Sequence, residues 1–371
     1  MVRSSALTVA SLVALAACGD PLIVLGDAPG RMRIVAGVGD SIGTRIDTLA
    51  TRTRLTEPVA VAFDESQAVL FAADRGAVVQ SGGSTRRMAR LVSVRSNGRL
   101  TLVFSGASCP AACPQAVHSI VVATGGAVLL TDGVAHRVYR LDAGASLPAA
   151  IAGDGTAGDA PDGTLAANAR VRAPSGIAVG DGGRIYFAEQ GGHRIRVIEP
   201  DGRLRTVAGT GSPGAAGDGG PAAAAQLNSP AGIAVGGDVL YIADRLNHRI
   251  RAVSLTTGLI TTLAGQGAAG FGGDGGPATE ARFDRPESVA LSTDQLTVFI
   301  ADYGNHRIRA INLSSGIVQS SAGTGSVSWS GAGRPAGQTS LELPSGVAAG
   351  LGFLFIADTG HSVVWRMVVR L

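Results

Sequence analysis

No lysine occurs in this chain: all 31 of its basic residues are arginine, set against 28 acidic ones for a net charge of +3. Removing a leading segment that holds Arg3 takes the charge to 3 − 1 = +2. A balance so close to neutral supplies no field for nucleic acid. Aromatic residues are scarce, at 4 %, which also removes the stacking platforms that single-stranded RNA requires. Charged residues are few as well, 16 % against 45 % hydrophobic, which excludes a disordered polar chain. Beyond the first segment no apolar run approaches the length of a membrane helix, and no 3.6-residue periodicity appears. Glycine is the exception, at 54 of 371 residues, about twice the usual ~7 %; it follows no collagen period.

Residues 1–18 read as an export signal. Arg3 gives the positive start, residues 6–17 are apolar, and small residues precede Cys18. Leu15-Ala16-Ala17-Cys18 resembles the bacterial lipobox. The resemblance implies that Cys18 is lipidated and becomes the first mature residue, with several acyl chains holding it at a membrane. The expected layout is therefore a signal peptide at 1–17, a lipidated linker at 18–30 and a single domain at 31–371. Gly19, where an Asp would retain a lipoprotein at the inner membrane, favours the outer membrane or cell surface. In that oxidising setting Cys109 and Cys113, spaced Cys-Pro-Ala-Ala-Cys, are expected to form a local disulfide.

The remainder is one unit repeated six times. A short apolar run ends in an acidic residue at Asp74, Asp132, Glu189, Asp244, Asp302 and Asp358, at spacings of 58, 57, 55, 58 and 56 residues. A proline precedes the unit's first strand at Pro58, Pro174, Pro230, Pro286 and Pro344, with Val117 in its place in unit two. Each unit holds four β patterns separated by Gly, Asn and Asp turns; in unit four they fall at 231–235, 239–243, 248–253 and 259–264. Four-stranded units repeated around a ring predict an all-β, six-bladed propeller. Unit six ends after its third strand, while Arg33-Ile34-Val35-Ala36-Gly37 matches the fourth-strand text Arg205-Thr206-Val207-Ala208-Gly209. The N-terminal strand is thus expected to complete the last blade and close the ring.

Ala243-Asp244-Arg245-Leu246-Asn247-His248-Arg249-Ile250-Arg251 and Ala301-Asp302-Tyr303-Gly304-Asn305-His306-Arg307-Ile308-Arg309 resemble NHL repeats, as do Pro230-Ala231-Gly232-Ile233-Ala234-Val235 and the Gly217-Asp218-Gly219-Gly220-Pro221 loop. The match is best in units three to five. Unit one carries an insertion at 77–90, with Arg86, Arg87 and Arg90, and unit six reads His361-Ser362-Val363-Val364. The resemblance implies an interaction platform that uses the loops of one face.

All six histidines fall on loops or strand ends of one face, five of them at nearly equivalent places, so they splay around the axis instead of converging on an ion. Candidate binding residues on that face are His193, His248, His306, Tyr303, Asp218 and Asp274, whose first role is to hold the repeat's own turns. At the channel mouth the units present Val59, His118, Ser175, Ala231, Glu287 and Ser345, of which only His118 and Glu287 ionise. They are the second pair of candidate binding residues, on opposite blades. They fall short of the three protein ligands of a catalytic zinc, so no metal, cofactor or catalytic residue is assigned. The function expected is a monomeric, envelope-anchored, non-enzymatic platform for a protein, small-molecule or glycan ligand. The alternative is a metal-dependent hydrolase or lyase at the channel mouth.

Overall fold

The computed structural model describes residues 30–37, 55–76, 78–81, 84–87, 89–95, 98–105 and 113–369. Cys18 and Cys109 lie outside them, as do the signal and the linker up to residue 29; Cys113 is disulfide-bonded. Six four-stranded antiparallel sheets follow one another along the chain. The first runs Pro58–Asp64, Val69–Asp74, Arg90–Val94 and Leu100–Ser105, with an inserted two-stranded hairpin, Val78–Ser81 and Ser84–Arg87, between its second and third strands. The fourth runs Ile233–Gly236, Val239–Asp244, Arg249–Ser254 and Ile260–Ala264. No α-helix occurs among the described residues, only short 3₁₀ turns.

The last sheet closes the ring as the strand text requires. Its order is Met32–Ala36, Val363–Val368, Phe353–Asp358 and Pro344–Gly350, so the first strand among the described residues is the outer strand of this blade. Met32 pairs with Met367 and Ile34 with Trp365. Met32 and Ala36 are fully buried there.

The core lies between the blades, in six apolar layers each shared by two neighbouring sheets. Both faces of a blade are therefore covered, which is why strands such as Phe353–Asp358 are buried at every position. The six first strands contact one another in turn and line a central channel. Their close approach demands small residues: a Cβ on Gly176 would meet the Ala231 carbonyl, and one on Gly232 the backbone of Glu287 and Ser288. Those same backbones bond across blades, Gly176 N–H to Ala231 O at 3.1 Å and Gly232 N–H to Glu287 O at 2.8 Å.

Candidate functional site

The six repeated acids, all fully buried, are tied to the chain entering their own blade. Asp244 accepts the Asn228 N–H, Asp302 the Asp284 N–H and Asp358 the Glu342 N–H, at 2.7–2.8 Å. Seven residues after the acid, blades three to five place a fully buried arginine, Arg196, Arg251 or Arg309. Each bridges its acid to a carboxylate of the preceding inter-blade loop, Asp162, Asp218 or Asp274. Burial pushes the Asp244 carboxyl up, and Asp302 up to about 7, against the hydrogen bonds that favour their charge. The other three blades vary the device, blade one by pairing Asp74 with Arg90 at the start of its third strand. Trp365 donates Nε1–H to Asp358 at 2.8 Å in the arginine's place, and the fully buried Tyr139 occupies it in blade two.

Asp218 and Asp274 are thus engaged by the fold. Arg251 reaches Asp218 at 2.7 Å and Thr262 Oγ1 donates to it at 2.6 Å; Arg309 and Ser320 hold Asp274 in the same way. Their loops run along the next blade's outer strand, with Gly219 N–H bonded to Ile260 O and Gly275 N–H to Val318 O, and so cover an edge.

The histidines sort differently from the sequence reading. Four are equivalent, not five. His136, His193, His248 and His306 each close a turn in left-handed conformation, with φ between 51° and 55°, and each Nδ1 accepts the N–H of the next blade's linker at 3.1 Å. Burial lowers the pKa of His193, His248 and His306, as suits a ring nitrogen that must keep its lone pair. In blade six the left-handed residue is Ser362, with φ 59°, so His361 stands one position earlier, where blades four and five have Asn247 and Asn305. Tyr303 begins the blade-five turn under the Arg285 guanidinium, 5.6 Å from its ring centre.

The channel mouth departs from the repeat. His118 and Glu287 both line the channel cavity of about 260 Å³ together with Val59, Ser175 and Ser345. The His118 Nδ1 sits 3.1 Å from the Gly133 N–H and 3.0 Å from the Ala116 carbonyl, so the tautomer decides whether Nε2 presents a proton or a lone pair. Burial, with Arg75 nearby, lowers its pKa and keeps the ring neutral. Glu287 is paired with Arg245 at 2.6 Å, and Arg75 with Glu57 at 2.8 Å. These arginines belong to a different repeated position, the residues directly after the repeated acids, Arg75, Gly133, Gln190, Arg245, Tyr303 and Thr359, of which Arg75 lines the cavity and Arg245 reaches its lining residue Glu287. Reading that column beside the first-strand column would have found them. No group of three or more His, Cys, Asp or Glu residues suited to a metal ion occurs among the described residues.

Residues 283–311 match the NHL repeat model. The chain is 34 % identical over 143 residues to NHL repeat-containing protein 2 of Gallus gallus, across 36 % of this chain and 19 % of that protein. The chain spans about a fifth of the length of the relatives it matches first. Among solved structures, an auxiliary nutrient binding protein from Bacteroides thetaiotaomicron is similar over 91 % of this chain and 75 % of its own, with TM-score 0.64 and 15 % identity. Virginiamycin B lyase from Staphylococcus aureus is similar over 92 % and 99 %, with TM-score 0.53 and 14 % identity. At those identities the likeness is one of fold, the β-propeller.

Proposed function

We propose that this chain is an envelope-anchored NHL-type propeller that binds a small-molecule, glycan or protein ligand at its channel mouth without catalysing a reaction. The observation that carries the reading is the break in repetition there. Outside the mouth the repeated polar groups are spent on the fold, whereas His118 and Glu287 replace the small residues of the other blades on the cavity wall, with Arg75 lining the same cavity and Arg245 paired to Glu287. The nutrient binding protein of similar fold supports a ligand-holding role, and the lipobox resemblance supports anchoring through Cys18. The second reading is a metal-dependent hydrolase or lyase at the mouth, and a lyase of similar fold speaks for the lyase part of it; His118 and Glu287 alone are too few ligands for a catalytic zinc.

The test is a thermal-shift screen of the mature protein against soluble oligosaccharides and short peptides, because a ligand of the folded state raises its midpoint. A hit whose shift is lost in His118→Ala and Glu287→Gln supports the reading; a hit that keeps its full shift in both variants overturns the mouth as the site. One metal ion per chain, lost in His118→Ala, would turn the reading to a hydrolase or lyase.

A further inference from the structure

The asparagine of blades four and five performs one task. Asn247 Nδ2 donates to Asp244 Oδ2 at 2.8 Å and to the Gly214 carbonyl of the incoming loop at 2.6 Å. Asn305 does the same for Asp302, at 2.8 Å, and Gly270, at 2.7 Å. A neutral amide has two hydrogens and serves both acceptors at any pH. In blade six His361 takes over the two corresponding acceptors. Its Nδ1 lies 2.8 Å from Asp358 Oδ2 and its Nε2 lies 2.9 Å from the Val327 carbonyl. A neutral imidazole carries one N–H and can serve only one of them; the imidazolium serves both.

The loop tied down at Val327 also grips the ring closure. Gly333 N–H bonds to Met32 O at 2.8 Å, Met32 N–H to Arg334 O at 2.9 Å, Ala336 N–H to Gly30 O at 2.6 Å, and Arg31 Nη1 to Gly333 O at 2.6 Å. Trp329 of the same loop packs edge-on to His361, 5.0 Å between ring centres, and stacks on Trp365 at 5.5 Å.

We propose that His361 is a proton-operated buckle: as imidazolium it fastens the loop that clamps the N-terminal strand to the last blade, and on losing its proton it lets that loop lift. The groups facing the ring are the Asp358 carboxylate, which also accepts the Trp365 Nε1–H, Glu342 of the linker with its oxygen 3.9 Å from Nε2, and the Val327 carbonyl and Trp329 of the loop. Burial opposes the charge, but the Asp358 hydrogen bond and the two carboxylates outweigh it and raise the pKa above 6.5. A raised value means that the fastening is complete below the unfolded histidine's pKa and is lost as pH rises through the folded one.

The chain's two tryptophans both sit in this cluster, so tryptophan emission, excited apart from that of the four tyrosines, reports on it alone. The experiment titrates the mature protein from about pH 5 to about pH 9, a span chosen to bracket histidine. It follows tryptophan emission and, after correction for intrinsic rates, amide exchange at Met32, Gly333 and Ala336. The expected result is one emission transition centred above 6.5, accompanied by a loss of protection of about tenfold at those amides, the size of one charge-assisted hydrogen bond. His361→Asn, which restores the neutral bridge of the other blades, is expected to abolish both transitions. Protection that stays constant across the wild-type transition, or an Asn variant that titrates like wild type, overturns the proposal. If the variant fails to fold, the wild-type exchange data decide alone.

Discussion

Arg251→Met isolates the energetics of the repeat. The Arg251 side chain is fully buried and holds four contacts: Asp244 and the Gln226 carbonyl at 3.3 Å each through Nη1, and Asp218 Oδ1 at 3.1 Å through Nε and 2.7 Å through Nη2. Methionine fills much of the volume but leaves the fully buried Asp244 carboxylate with only the Asn228 N–H and the Asn247 amide, at 2.8 Å each. Breaking a buried pair from one side costs about 3–5 kcal/mol. The outer partner weighs far less, because the Asp218 side chain is 40 % exposed and the solvent screens its pairing, so Asp218→Ala is expected to cost about 1 kcal/mol or less. The deficit of Arg251→Met also carries a pH signature. Asp244 is already raised by burial, and losing the cation raises it further. Stability linked to a raised carboxyl is present below the unfolded value of about 3.9 and is lost as pH rises through the folded one. The variant should therefore approach wild type in acid and diverge from it toward neutrality. Denaturant unfolding at a series of pH values measures both effects. An Asp218→Ala variant as damaged as Arg251→Met, or an Arg251→Met deficit that does not change with pH, would refute the reasoning.

Deleting residues 31–37 removes the outer strand of the last blade and exposes the edge of Val363–Val368. The lost burial of Met32 and Val35, at about 1.5–3 kcal/mol each, should lower the thermal midpoint sharply, and unchanged unfolding would count against closure. His248→Gly keeps the positive φ but strands the Arg285 N–H, for an expected loss of about 1–3 kcal/mol in chemical unfolding. Cys18→Ser should move the protein from the membrane fraction to the soluble fraction of the expressing cells; retention on membranes would sink the proposed anchor.

Blade number and closure were legible because each depends on a pattern the chain repeats. A buried acid every 55–58 residues and a fourth-strand text before the first unit leave few alternatives to a sealed ring. The histidines were harder. His361 and His306 differ by one place in the turn, and only the backbone reveals that Ser362, not His361, carries the left-handed residue. The glycine-rich loops were read as turns of one face, but their carboxylates meet arginines 33 to 35 residues further on, a pairing set by how the crossover lies on the next blade. At the mouth, the first-strand column pointed to His118 and Glu287, while the arginines beside them belong to a neighbouring column of turn residues.

The pairing of Met32 with Met367 has a kinetic consequence. During synthesis Met32 emerges well before Met367, so this strand must wait for its neighbour while the five intervening sheets are made. Five sheets can assemble from local hairpins in the meantime, but the sixth demands a contact between residues far apart in sequence, the slowest kind to form. Until then the nascent protein carries two bare β-edges, and this interval is when it is most open to capture by a chaperone or to sticking to its own kind.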